Sequence, residues 1–134
     1  MRAGAVFLIS RTNPKGSQVT VENLTPMEVA AKLKAREIVL IDVREPSEYA
    51  AERIHGALLF PLSTFDPTLL PEDGKRKLVF HCGSSMRSSK AIALCDAAGF
   101  PHRAQMHGGI MAWKTAGLPT IVIDPATGKI VDKR

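Results

Sequence analysis

The sequence predicts an α/β domain with a mainly parallel central sheet flanked by helices on both faces. Two apolar runs of strand length, IVLID (Ile38 to Asp42) and KLVFH (Lys77 to His81), lack polar alternation, the pattern of strands covered on both sides. Segments with helical spacing stand between the strand-like runs. The resulting alternation, sustained over about 100 residues, is the arrangement that builds parallel sheets.

The elements follow in order. Residues 1–17 end in RTNPKGS, a turn-forming composition that predicts a loosely held N-terminal arm. QVTVENL then reads as a strand. In the helix that follows, Thr25 is the cap, Pro26 suits the first turn and Glu28 completes a T-x-x-E capping box, with Leu24 and Val29 at staple positions. IVLID is the next strand, EPSEYAAER predicts a short helix starting near Ser47, and ALLFPL a strand stopped by Pro61. STFDPTLLPEDGKRK is rich in breakers and reads as a connection carrying one helical turn. After KLVFH, Ser88 to Ala98 reads as a helix with Ala91, Ile92 and Cys95 on one face and Gly99 beyond its end. RAQM is a short strand, GGIMAWKTAGLP a helix closed by Gly117 and Pro119, and TIVIDPATGKIVDKR a hairpin. The expected organisation is an arm over 1–17, one domain over 18–119 and a hairpin or tail over 120–134.

At 134 residues one domain can bury roughly two-thirds of the surface its unfolded chain exposes. Two cysteines and no C-x-x-C pair exclude a disulfide framework and a thioredoxin motif, and point to reduced thiols in a cytoplasm. The apolar patch Ala5 to Ile9 is shorter than the core of a secretory signal, and no run approaches the ~18 residues of a membrane span. The net charge of +5 comes from scattered basic groups without aromatic interleaving, so a nucleic-acid surface is not expected. A surface mildly attractive to small anions is.

Cys82 stands where a buried strand hands over to a helix, the end of an open α/β sheet at which reactive groups collect. The six residues Cys82, Gly83, Ser84, Ser85, Met86 and Arg87 offer little bulk, so successive backbone N–H groups can curl toward one point and form an anion-binding nest. The following helix adds its positive end and Arg87 a full charge. All three favour thiolate over thiol. Cys95, on an apolar helix face, reads instead as a packed thiol.

Three blocks together resemble the rhodanese-like sulfurtransferases. CGSSMRSSKAIALCDAAGF resembles their active-site loop and the R-S-x-x-A helix leading to G-F. IDVREPSEYAAERIHGALLFPLS is similar to their I-D-V-R segment, and MHGGIMAWKTAGLP to their G-G-x-x-A-W ending. The likeness runs from about Val19 to Pro119 in the family's order and spacing. One departure stands at the family's G-H-I position, where this chain has Glu52, Arg53 and Ile54, followed by His55.

The resemblance implies a rhodanese-like fold and a sulfurtransferase that carries sulfur as a Cys82 persulfide. Its loop, Gly83, Ser84, Ser85, Met86, Arg87 and Ser88, would bind a small anionic sulfur donor such as thiosulfate, or another persulfide. The acceptor would be a thiol or cyanide, with a protein acceptor also open. The mechanism requires no metal or organic cofactor, and no nucleic acid or membrane partner is implied. Phosphatases and arsenate reductases of the same fold use a C-x5-R loop, one residue longer, whereas this loop is C-x4-R; phosphoryl chemistry is therefore the weaker alternative. A rhodanese-like module that delivers sulfur to a partner without turning over small donors is the other alternative.

Other residues read as scaffold. Asp42, Arg44 and Glu48 form a charged cluster at a strand end, the usual means of pinning a helix. His81 should point to the face opposite Cys82. His107 reads as a solvated loop residue, and Trp113 as a core anchor.

Overall fold

The computed structural model describes residues 6–12 and 18–133, with side chains from residue 20 onward. The middle of its main sheet is the parallel pair β3 (Ile38–Asp42) and β6 (Lys77–His81), in register from Ile38 opposite Lys77 to Asp42 opposite His81. All five residues of β3 are buried. Alternate side chains enter opposite layers. Val39 and Ile41 join Phe80, Ala91, Ile92 and Cys95 on one face, while Ile38 and Leu40 join Val29, Val79, Ile110 and Trp113 on the other. A strand buried on both faces has no use for polar alternation, which explains the continuous apolar runs.

The full sheet adds β7 (Ala104–Met106) and β2 (Gln18–Leu24) beside β6, and β5 (Leu58–Leu59) beside β3, all parallel. An antiparallel edge strand, β1 (Val6–Thr12), completes the order β1-β2-β7-β6-β3-β5. Against the expectation of a loose arm, seven of the first seventeen residues are thus paired with Gln18–Leu24. The run VFLISRT has the β-branched and aromatic composition of a strand, and its partner follows directly in the chain. The turn expected over 13–17 lies outside the described residues.

Helix α1 (Pro26–Lys34) carries the predicted capping box: Thr25 Oγ1 accepts the Glu28 N–H at 3.2 Å, and Glu28 Oε1 the Thr25 N–H at 2.9 Å. It shares one face of the sheet with α4 (Gly109–Thr115) through Val29, Ile110 and Trp113. The Trp113 indole N–H, donated to the Pro119 carbonyl at 2.8 Å, lets a large ring be buried without an orphan donor. Helix α3 (Met86–Ala97) covers the opposite face with Ala91, Ile92 and Cys95.

Two features were not foreseen. The breaker-rich connection holds two short 3-10 turns, Leu62–Thr64 and Pro67–Leu69. A second, three-stranded antiparallel sheet joins β4 (Glu52–Arg53) to the terminal hairpin of β8 (Thr120–Ile123) and β9 (Ile130–Lys133). The hairpin is therefore pinned to residues 52–53, with Thr120 and Ile121 buried.

The chain leaves β3 through α2 (Pro46–Ala51) toward β5 at one edge, but leaves β6 through α3 toward β7 on the other side. Connections that part in opposite directions open a crevice beyond the strand ends, and Cys82 lies in it. Beside the crevice, Arg44 folds back on Asp42 with Nη2 2.8 Å from Oδ2 and Nε 3.0 Å from Oδ1, and Nη2 also donates to the Glu52 carbonyl at 2.7 Å. Both side chains are buried. Asp42→Ala would strand the Arg44 guanidinium, so urea unfolding should show a loss of about 3–5 kcal/mol. A loss below about 1 kcal/mol would mean that the pair does not hold this strand end.

Candidate active site

Cys82 follows the last residue of β6, and its sulfur accepts two backbone hydrogen bonds. The Ser85 N–H reaches Sγ at 3.1 Å and the Ser88 N–H at 3.3 Å. The loop can present both because α3 begins at Met86, two residues before the predicted start, with Ser85 as its cap. The Ser89 N–H already donates to the Ser85 carbonyl at 3.0 Å in the helical manner. Ser85 itself has φ 106°, a backbone region that costs a side-chain-bearing residue of order 1–3 kcal/mol. Its hydroxyl does not cap its own helix but accepts the Gly108 N–H at 2.7 Å.

The other side of the loop is tied down by α4. The first amides of a helix have no partner within it; here Ile110 N–H donates to the Cys82 carbonyl at 2.8 Å and Met111 N–H to the Gly83 carbonyl at 3.2 Å. In trans peptides the carbonyl and the next N–H point in opposite directions. Fixing these carbonyls on α4 therefore turns the Gly83 and Ser84 N–H groups away from it. Gly109 makes the approach possible: with φ +62°, a Cβ there would lie 2.4 Å from the Cys82 oxygen and 2.5 Å from the Gly83 carbonyl.

Of the six loop residues expected to bind a donor, Ser85 and Ser88 thus direct amides at the sulfur, and the Gly83 carbonyl is engaged with α4. Ser84 is exposed and Met86 is 82% exposed, so the Met86 side chain faces outward from the first turn of α3. Arg87 does not contribute an uncompensated charge as expected. Its Nη1 and Nη2 donate to the Glu48 carboxylate at 2.7 and 3.0 Å, and this pairing holds the Glu48 carboxyl down at about 2. Glu48 accordingly pairs with the loop after Cys82 while still feeling the charge of Arg44, a pairing across 39 residues that local sequence does not signal.

The remaining candidates fall as scaffold. His81 is fully buried, and burial lowers its pKa; its Nδ1 lies 3.3 Å from the Cys82 carbonyl oxygen and its Nε2 3.5 Å from Asp42 Oδ2. His107 is exposed, with its N–H on the Leu24 carbonyl at 2.8 Å. Cys95 is sealed in the apolar layer, and burial pushes its thiol up to about 12. Beneath Cys82, which is itself only 1% exposed, the hydroxyl of Ser88 meets Gln105 on β7 at 2.6 Å. Gln105 drew no notice in the sequence because a polar residue in a three-residue strand has no spacing to mark it.

Comparison with known proteins agrees with this architecture. The pattern of the rhodanese-like domain matches residues 25–116. The chain belongs to the rhodanese-like domain family. A Synechocystis relative, "Uncharacterized protein slr1261", is 42% identical over 84 residues, covering 63% of this chain and 47% of that protein. This chain therefore matches about half the length of that relative. A protein of Allochromatium vinosum named "Sulfurtransferase" is 33% identical over 87 residues, covering 63% of this chain and 79% of its own. The solution structure of the rhodanese-like domain of the Anabaena Alr3790 protein superposes with a TM-score of 0.65 at 25% identity, covering 84% of this chain and 88% of that one. Among the described residues of this rhodanese-like chain, no helix is long and apolar enough to cross a membrane.

The α4 contact separates two glycine substitutions. Gly117→Ala, at φ +80° with nothing within 4 Å of the added Cβ, should cost only left-handed strain, about 1–2 kcal/mol. Gly109→Ala meets immovable backbone as well and should cost about 2 kcal/mol more, with the rate of Cys82 alkylation changed in that variant alone. Equal unfolding midpoints for the two would contradict the contact.

Proposed function

We propose that the protein is a sulfurtransferase that carries a sulfane sulfur on Cys82. The observation that supports this most directly is the pair of backbone N–H groups, from Ser85 and Ser88, aimed at Sγ. Dipoles fixed before reaction lower the energy of charge that develops on the sulfur and need no reorganisation when it appears. The thiolate attacks the outer sulfur of thiosulfate or of another persulfide. One sulfur–sulfur bond forms, the donor's bond breaks, and sulfite or a thiolate leaves with the electron pair. A thiol or cyanide then attacks the outer sulfur of the Cys82 persulfide and returns the pair to Sγ.

For an anionic donor, Arg87 is the residue proposed to assist. Its guanidinium has five N–H donors, and the Glu48 carboxylate engages two of its nitrogens. Gly83, Ser84 and Ser85 line the approach by being small, and Met86 stands at its rim. The C-x4-R loop still argues against phosphoryl transfer. A second reading, a module that passes sulfur to a protein partner, draws support from the 1% exposure of Cys82 and the 82% exposure of neighbouring Met86.

Mass spectrometry after thiosulfate treatment tests the reading. Wild-type protein should gain one sulfur, about 32 Da, removable by cyanide, and Cys82→Ser should gain none. Uptake from a low-molecular-weight persulfide but not from thiosulfate would favour the delivery module. No uptake from either donor would overturn the proposal.

A further inference from the structure

The Ser88 hydroxyl has one proton and two acceptors for it, Gln105 Oε1 at 2.6 Å and the Ser85 carbonyl at 3.1 Å, while its oxygen accepts from Cys82 Sγ at 3.6 Å. Ser88 and Gln105 are fully buried, so water is not at hand to supply a missing partner. Gln105 is held in orientation from behind, its Nε2 donating to Asn23 Oδ1 at 2.8 Å. Its oxygen also accepts from Ser89 Oγ at 3.2 Å. Gln105 therefore retains a donor when Ser88 turns away, which is what a replaceable partner requires.

We propose that Gln105 is a positioning residue that competes with the Cys82 sulfur for the single hydroxyl proton of Ser88. With Cys82 protonated, the thiol donates to Ser88 Oγ and the Ser88 proton rests on Gln105. When Sγ becomes anionic it has no proton to donate and becomes the stronger acceptor, since hydrogen bonds to charged groups are about twice as strong as neutral ones. The hydroxyl then rotates toward sulfur, and Ser89 holds Gln105. No covalent bond changes in this step. It rests on the proposed Cys82 chemistry for its use, because the sulfur regains an electron pair each time an acceptor removes the outer sulfur atom.

The charged and titratable groups on the elements around Cys82 are Asp42 within β3 and Arg44 after it, Glu48 and Tyr49 on α2, Lys77 and His81 on β6, Arg87, Lys90, Cys95 and Asp96 on α3, His107 after β7 and Lys114 on α4. All are retained in the variants below. The differences between variants therefore report the hydroxyl.

The test is the pH profile of iodoacetamide alkylation of the intact chain, with circular dichroism confirming the fold of each variant. Cys95, pushed up to about 12, stays protonated over the assay range. Ser88→Ala should move the alkylation midpoint up by about one pH unit, the worth of one charge-assisted hydrogen bond. Ser88→Thr, which keeps the hydroxyl, should restore it. Gln105→Met removes the competitor and should move the midpoint down by about half a unit. Gln105→Leu, equally neutral and without an acceptor, should move it down likewise, and decides the matter if the methionine variant does not fold. A midpoint unmoved or raised in Gln105→Met, or in Gln105→Leu where only that variant folds, would overturn the competition. Alkylation needs no sulfur donor, so these shifts stand or fall separately from persulfide formation with thiosulfate.

Discussion

The site depends on the direction in which one short stretch of backbone faces. Cys82 and Gly83 give their carbonyls to the first amides of α4, and the amides of Ser85 and Ser88 converge on sulfur from the other side. Neither half suffices alone. Were the carbonyls not bound to Ile110 and Met111, nothing would stop the same peptides from turning an oxygen toward Sγ, against the charge that the proposed chemistry places there. The positive φ of Ser85 is the backbone cost of this arrangement, and the hydrogen bond from Gly108 to its hydroxyl helps to hold it.

The rest of the fold can be understood as support for that orientation. The central strands β3 and β6 place Cys82 in the crevice where their outgoing connections diverge, and apolar layers on both faces fix the strands in depth. The Asp42–Arg44 pair ties the end of β3 to the carbonyl of Glu52, a residue of β4 in the second sheet. Glu48 on α2 anchors Arg87 at the start of α3. A charge in that position serves the loop as a strut as well as a field, which alters what its loss would mean: removal of Arg87 would release the helix start along with the cation.

Sequence alone made the α/β class, the buried strands, the capping box at Thr25 and the cysteine junction legible, because each is encoded by neighbours in the chain. The contacts that complete the site are not local. Glu48 meets Arg87 and Gln105 meets Ser88 only after the sheet is assembled, and the close approach of Gly109 to residue 82 requires α4 to be docked. The early start of α3 escaped notice because it turns on the unusual φ of Ser85, which the sequence placed within the loop. Strand β4, two residues long, is set by its partner more than by its own pattern.

The central claim, that the amides of Ser85 and Ser88 hold the sulfur and its charge, is tested most directly by amide NMR spectra of the protein before and after persulfidation of Cys82. The Ser85 and Ser88 N–H protons should show the largest downfield movements, with Ile110 and Met111 nearly unmoved because their carbonyl partners stay in place. Unchanged Ser85 and Ser88 resonances in a protein shown by mass to carry the extra sulfur would contradict the account.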